Sequence, residues 1–586
     1  MPDKKERKRF VRVLDAAFII GSLAILVIFT TVYVMPFRLD DVLHMDWARE
    51  HSFWDAFNLS RGEIVRSVRP VFAMTIWLLT HTAGVNNYFP WHFVLVASFL
   101  VGLAYAGKTA RYIVKQDSAL YFTTGFFWLA FLPILNVLFW YGDLTFTLEL
   151  LFVAPAWYYG LRGLLEGRLM LWIISIICGI LAVLAKEPAL LLIHCVFAGA
   201  FIFCYDDVKK AWKDNLPVKK ILGVSLYIVL LFVSLKLYFA SPTRSNRFFN
   251  IGALSHDQLI YFVNDRLRYY GETLLNPIAR FLLGLPLVYW ILRQFIRKNI
   301  SLSKSIAVFA ISGVLAFFCI KSLILFAAIV IITPVLNIIR EKEKRIHRLT
   351  LLFSLSAVVI LTVLLITVML VKTQLTELSF VLLIIAGVYW ALTGREIALL
   401  SSPYLAKKSI CYSLAFIAVF VFACGLYIAF PVIKAKELLL REVRDVRNNA
   451  NDAIKWMGGH LPPNSAVLVT APSLFGLGIA DEMTSKDDEY KLYAQYTFLQ
   501  GYVRSYLLAL KRNDISLGYL EDSLKLSQVL DSCRSQGDYY LFLQTGLDAN
   551  RFHSKIDGKK QIVESDSMLM KFTKGPFPSE VWKLRK

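Results

Sequence analysis

Arg38-Leu39-Asp40-Asp41 sets two adjacent carboxylates directly after a long apolar run. Neighbouring carboxylates raise each other's proton affinity, which suits one of them to take up a proton. The pair reads either as a solvated group that stops a helix, or as a general base or metal ligand facing an acceptor hydroxyl or amine. Asp143, in Tyr141-Gly142-Asp143, sits between two further apolar runs, and Glu149 follows about a turn and a half deeper in the second of them. An ionisable group at membrane depth is costly, so Glu149 is either paired inside a bundle or functional. Lys186-Glu187-Pro188 interrupts another run with almost no loop. It reads as an ion pair capping a tight turn, or as a lysine meeting a lipid phosphate as a point charge while Glu187 orients it.

Arginines add to this set. Arg61, Arg66 and Arg69 precede the short apolar stretch 71–83, and Arg244, Arg247, Arg266 and Arg268 share the stretch 241–273 with His256, Tyr269 and Tyr270. They read as surface arginines at headgroup level, or as the cations of a phosphate or pyrophosphate site, for which the planar guanidinium is well shaped. Together these residue types suit chemistry on a lipid phosphate donor whose tail lies in a bilayer. A base would deprotonate the acceptor, and cations would hold the leaving phosphate where negative charge develops.

Such an arrangement requires that the residues share one membrane face. The chain has 586 residues, 57% hydrophobic and 18% charged, against roughly 25% charged in ordinary soluble domains. Apolar runs long enough to cross a hydrocarbon core, which takes roughly 20 helical residues, recur from Val11 to Pro431 and then stop. Lys4, Lys5, Arg7, Lys8, Arg9 and Arg12 precede the first run. That run is too long for a signal-peptide core and has no clear small-residue cleavage site, so a retained helix with a cytoplasmic N-terminus is expected.

The expected spans are about 12–35, 90–110, 119–139, 144–161, 169–185, 188–204, 221–240, 274–296, 305–320, 323–339, 349–371, 379–394 and 409–431. This count of about thirteen treats 71–83 as an interfacial helix that does not cross. Every major basic cluster then lies on the cytoplasmic side, from Lys108, Arg111 and Lys115 to Arg395, Lys407 and Lys408. If 71–83 crossed, most clusters would invert, against the positive-inside rule. The expected fold is therefore an all-α polytopic membrane domain over 1–431 with external loops 36–89 and 241–273, and a C-terminal soluble α/β domain over 432–586 outside the cytoplasm.

In that tail, 433–457 reads as a helix, and AVLVTA (466–471), YYLFLQ (539–544) and SMLMKF (567–572) read as strands, with helical stretches about 489–511 and 519–534 between them. No GxGxxG, P-loop or GxSxG occurs there, so the tail reads as a packing or substrate-positioning domain. The net charge of +21 does not indicate nucleic acid, because the basic residues lie in short clusters between apolar runs. Of seven cysteines only Cys533 falls in the tail, and no CxxC or Cys/His spacing suggests a metal site.

RLDDVLHMDWA (38–48), SVRPVFAMTIWLLTHTAGVNNYFPWHFV (67–94), NVLFWYGDLTFTLELLF (136–152) and LAVLAKEPALLL (181–192) occur in an order and common sidedness that resembles the GT-C superfamily of polyprenyl-phosphate-dependent glycosyltransferases. The sequence is similar to the protein O-mannosyltransferases and the bacterial lipid A aminoarabinose transferases. In such enzymes an acidic pair opens the first external loop, a juxtamembrane helix follows, and a second acidic residue opens a later external loop. The resemblance covers about 1–200 by motif and the rest by layout.

It implies a hexosyl or pentosyl transferase of the cell (inner) membrane, using a polyprenyl-phosphate-linked sugar donor and a lipid, glycan or protein acceptor on the extracytoplasmic face. By the same resemblance Asp40 or Asp41 is the base, Asp143 assists at the acceptor, and Lys186 with an arginine of 241–273 holds the donor phosphate; the residue types themselves make Arg69, Arg266 and Arg268 the candidate arginines, with Glu187, His256 and Tyr269 in support. Some members use a divalent metal and others do not, and these residues leave that open. Two other classes compete: a lipid or glycan transporter or flippase, and a non-catalytic membrane assembly component. A transporter would show mid-helix charges and inverted repeats. Mid-helix charges are few here, and no clear repeat is present.

Overall fold

The computed structural model describes residues 39–57, 69–84, 87–114, 144–186, 277–296, 301–321, 448–470, 510–519, 539–544, 566–573 and 579–584, with isolated positions between them. Asp143, Glu187, His256, Arg266, Arg268 and Tyr269 lie outside the described residues. The same holds for most of the thirteen expected spans.

The external stretch 36–89, in which an interfacial helix was expected over 71–83, contains two α-helices and a 3-10 turn. Leu39–Glu50 forms α1, Phe53–Phe57 a single 3-10 turn, and Pro70–Thr82 forms α2. Asp40 and Asp41 fall in the first turn of α1, where unpaired N–H groups and the helix dipole favour negative charge. Pro70 opens α2 at the position where a missing N–H costs nothing. Its end is set by Gly84, whose φ of +63° lets the chain turn back so that its N–H bonds Leu79 O at 3.2 Å. Thirteen residues at the helical rise reach about 20 Å, short of a hydrocarbon core of about 30 Å. Phe72, Ala73, Ile76 and Leu79 bury one face of α2. That face packs against α1 and against the longer helices below.

Three of those follow: α3 (Phe89–Val114), α4 (Leu144–Glu166) and α5 (Leu169–Ala185). Among the described residues, Phe89–Thr109 and Leu144–Gly163 are long and apolar enough to cross a membrane, while Leu169–Ala185 is apolar but shorter. α3 and α4 run in the same direction: Trp91 faces Tyr141, with ring centroids 5.9 Å apart, and further along the Tyr105 and Tyr159 hydroxyls meet at 3.0 Å. α5 returns antiparallel. Gly167, at φ +66°, makes the turn between α4 and α5, and Arg162 forks onto Glu166 at 2.6 and 3.1 Å just before it. Farther up, the Ser175 hydroxyl donates to Ala156 O at 2.7 Å.

A separate helical pair, α6 (Pro277–Gln294) and α7 (Leu302–Lys321), packs through Leu285, Val288 and Ala316, with Tyr289 and Ser305 hydroxyls 2.7 Å apart. Its bounds lie within a few residues of the expected spans at 274–296 and 305–320.

The C-terminal part holds a five-stranded sheet: β1 (Ala466–Thr470), β2 (Ser516–Tyr519), β3 (Tyr539–Gln544), β4 (Ser567–Phe572) and β5 (Ser579–Lys583), in the order β2-β1-β3-β5-β4. β1 is parallel to β2 and β3, whereas β5 is antiparallel to β3 and β4. The expected strands are β1, β3 and β4. β2 is four residues long with a central glycine, and β5 carries Glu580, which is buried on a salt bridge of 3.0 Å to Lys571. Neither has the apolar run that marks a strand in sequence.

Described helical residues 448–460 overlap the expected 433–457 helix and run slightly past its end. Its last turn is tied to the strand-side turn by Arg512, which donates to Gly458 O and Leu461 O and forks onto Asp514. Among the described residues this part meets the helical unit at a polar junction: Asn451 Nδ2 donates to the Tyr88 hydroxyl at 3.0 Å, and the Tyr506 hydroxyl lies 3.3 Å from the same oxygen. Tyr88 stands immediately before α3.

Close approach of α3 and α4 depends on Gly102. A Cβ there would lie 2.6 Å from Leu150 Cγ and 2.9 Å from Leu150 C. Gly102→Ala is expected to destabilise the helical unit by about 1–3 kcal/mol through overpacking, seen as a lower thermal midpoint in detergent. An unchanged midpoint would show that the two helices separate freely there.

Candidate functional site

The described elements converge at one end of the helical unit. α3 and α4 begin there and α5 ends there. The same end receives α2, whose terminal Gly84 O accepts a hydrogen bond of 3.2 Å from Trp91 Nε1. α1 runs alongside α2, with the His44 and Phe72 rings 5.1 Å apart near their starts and Trp77 Nε1 donating to His51 O at 3.0 Å farther on.

Among the described residues, two carboxylates and a lysine are buried here. Asp41 and Glu149 are each 1% exposed and Lys186 is 5% exposed. Charges out of water persist only when neighbours compensate them, and all three are engaged by neighbours. For Asp41 this removes the reading of a solvated cap. Lys186 caps α5 in an extended conformation (φ −158°, ψ 129°), and its N–H closes the helix on Ala182 O at 2.9 Å. Its ammonium sits over the ring of Phe146, a cation–π contact. Glu149 is three residues beyond Phe146 on α4, on the same face. The α4–α5 hairpin therefore carries Lys186, Phe146 and Glu149 together.

A second group lies at the start of α1 and α2. Arg69 is the cap residue of α2 and makes no capping bond through its side chain. His44, one turn after Asp41, meets Phe72 edge-on at 88°. Its Nδ1 is enclosed, with no hydrogen-bond partner among the described residues. Burial first, then the positive charge of Arg69, pushes its pKa down to about 4, so the ring is uncharged at neutral pH. His44 was not legible as a site residue. The available signal was its spacing of three from Asp41 in DDVLH, which puts both on one face only once the segment is known to be helical.

Of the residues expected from sequence, the structure thus places Asp41, Arg69 and Lys186 at one end of the unit. Asp40 lies in α1, and its side chain is outside the described residues. Among the described residues no group of three or more His, Cys, Asp or Glu side chains is arranged to hold a metal ion.

No family model matches the sequence. No curated protein matches it either. Among solved structures the chain is similar to ArnT from Cupriavidus metallidurans, whose crystal structure is described as bound to undecaprenyl phosphate. The identity is 12% and the TM-score 0.32, over 96% of this chain and 98% of that one. A superposition at that score does not establish a shared fold.

The depressed His44 pKa sets a pH dependence. An unfolded histidine takes up its proton near pH 6.5, whereas the folded ring does so only near 4. Stability is therefore full above about pH 6.5, declines as the pH falls, and stops declining near pH 4, for a total on the order of 3 kcal/mol. His44→Gln is expected to flatten that decline in thermal midpoints measured from pH 7 to pH 4. An unaltered slope would locate the acid sensitivity elsewhere.

Proposed function

We propose that this chain is a membrane glycosyltransferase of the GT-C type, moving a sugar from a polyprenyl-phosphate-linked donor to a lipid, glycan or protein acceptor on the extracytoplasmic face. What supports it is that a buried carboxylate, Asp41, and two cations, Arg69 and Lys186, belong to helices that pack together at one end of the helical unit. A base and phosphate-holding cations are the two components such a transfer needs.

In the reaction the acceptor oxygen or nitrogen bonds to the anomeric carbon while the bond from that carbon to the phosphate oxygen breaks. The acceptor proton passes to Asp41, with Asp40 the alternative base. The electron pair of the broken bond leaves with the polyprenyl phosphate, whose charge Lys186 and Arg69 offset. Asp143 assists at the acceptor, Arg266 and Arg268 add to the phosphate site, and Glu187, His256 and Tyr269 support them. These roles follow from the sequence reading and the resemblance together.

A bilayer setting is supported by the outer surfaces of the helices. α5 exposes Met170, Ile173, Ile177 and Ile180 at helical spacing, and α7 exposes Val314 (67%), Phe317 and Phe318. Apolar stripes of this kind are unfavourable against water and suited to lipid. At the candidate-site end, Trp54 is 72% exposed and stacks on Phe57, and Phe89 and Phe93 are also exposed. Exposed aromatics at a helix-bundle end suit the headgroup region. The tail's junction with Tyr88 is consistent with its lying on the same face as α1 and α2.

Purified protein in detergent, given undecaprenyl phosphate, is expected to bind it, with Lys186→Met weakening binding about tenfold, equivalent to about 1.4 kcal/mol. Asp41→Asn is expected to lower transfer by about 10²–10⁴-fold, the usual range for a lost general base, while leaving lipid binding intact. Full transfer by both Asp40→Asn and Asp41→Asn would sink the base assignment.

A further inference from the structure

His44 differs from three other described histidines in how its Nδ1 is placed, and shares with His92 an enclosed Nδ1 that makes no hydrogen bond among the described residues. His51, His81 and His460 each hold Nδ1 2.9 Å from the carbonyl four residues earlier, respectively Trp47 O, Trp77 O and Trp456 O. That is the local way for a helical histidine to satisfy the atom. His44 Nδ1 does not use it, and it meets no other partner among the described residues although it is enclosed. A desolvated ring nitrogen without a bond carries a penalty in the resting protein, and a ligand that supplies the bond removes it.

The ring's surroundings narrow the ligand. Phe72 holds its plane edge-on, and Arg69 opposes a positive charge on it. The uncharged imidazole offers one N–H donor and one acceptor nitrogen. A phosphate oxygen can only accept, and so would use the one N–H of that ring alone. A hydroxyl can give or accept a hydrogen bond and so suits either tautomer. If the phosphate of a sugar donor sits at Arg69, the sugar attached to that phosphate lies beside the first turns of α1 and α2, where His44 stands.

We infer that His44 hydrogen-bonds a hydroxyl of the donor sugar and so holds the ring beside Asp41, as a specificity-determining residue. This rests on the glycosyltransferase reading above. It separates recognition of the sugar, by His44, from recognition of the lipid phosphate, by Arg69 and Lys186.

The test uses the full chain in detergent, titrated with undecaprenyl phosphate and with the same lipid carrying a hexose or a pentose. Wild type is compared with His44→Phe, which removes both polar atoms, and His44→Gln, which keeps a donor and an acceptor. The expected result is that wild type binds one sugar-bearing lipid more tightly than the bare lipid. His44→Phe loses that preference by about tenfold or more while binding the bare lipid as wild type does, which also shows that it is folded, and His44→Gln retains most of the preference. Equal binding of bare and sugar-bearing lipids by wild type would overturn the inference. So would an unchanged preference in His44→Phe, including the case where only transfer to the acceptor falls. Failure of wild type to bind undecaprenyl phosphate at all would instead remove the glycosyltransferase reading on which the inference rests.

Discussion

Taking a carboxylate or an ammonium out of water costs several kcal/mol per ion, and the cost is recovered only where neighbours are held in fixed positions. Asp41, Glu149 and Lys186 are nearly sealed from solvent, so the elements around them cannot be loosely arranged. The α4–α5 hairpin shows how the fold meets this demand. At its closed end Gly167 makes the turn, Gly163 lies tight against Trp172, and the Arg162–Glu166 fork ties the last turn of α4. At mid-height Ser175 bonds across to Ala156. Both helices are thereby fixed in axial register, and Lys186 arrives over Phe146 at the open end without any long loop to position it.

The second half of the site is built differently. α1 and α2 are short helices whose stability comes from packing rather than length, since isolated helices of a dozen residues are marginal in water. They lean on each other through His44–Phe72 and Trp77–His51 O, and α2 leans on α4 and α5. Gly84 and the Trp91 bond connect this layer to the start of α3. The C-terminal sheet domain reaches the same connection through Asn451, Tyr506 and Tyr88. A movement of that domain would act on α3 at the turn that also carries Trp91 and His92, both in ring contact with Tyr141.

The legible parts of the molecule were those whose signal is local. Asp41 and Lys186 stood out because each charge adjoins a long apolar run, where charge is unfavourable without a reason. α5 was readable nearly to the residue because Arg168 and Lys186 bracket an uninterrupted apolar run. β1 and β3 were readable as compact apolar stretches. β5 was not, because its buried Glu580 is paired with Lys571 from the neighbouring strand, and such a pairing has no trace in either segment alone. His44 was unreadable for a similar reason. In sequence it resembles His51 and His81, and it differs in that its enclosed ring nitrogen does not bond a carbonyl of the preceding turn.

By itself the sequence determined which segments are apolar, how long they are, and where single charges interrupt them, because hydrophobicity, helix length and charge belong to each segment alone. Through the placement of the basic clusters it also favoured an interfacial rather than a crossing reading of residues 71–83. Only the tertiary structure decided that Asp40 and Asp41 begin a helix, that Asp41 is buried, and that the starts of α3 and α4 meet the end of α5. Those outcomes depend on which helices can approach closely, as at Gly102 against Leu150. That is a property of two surfaces in contact, and it is absent from either one taken singly.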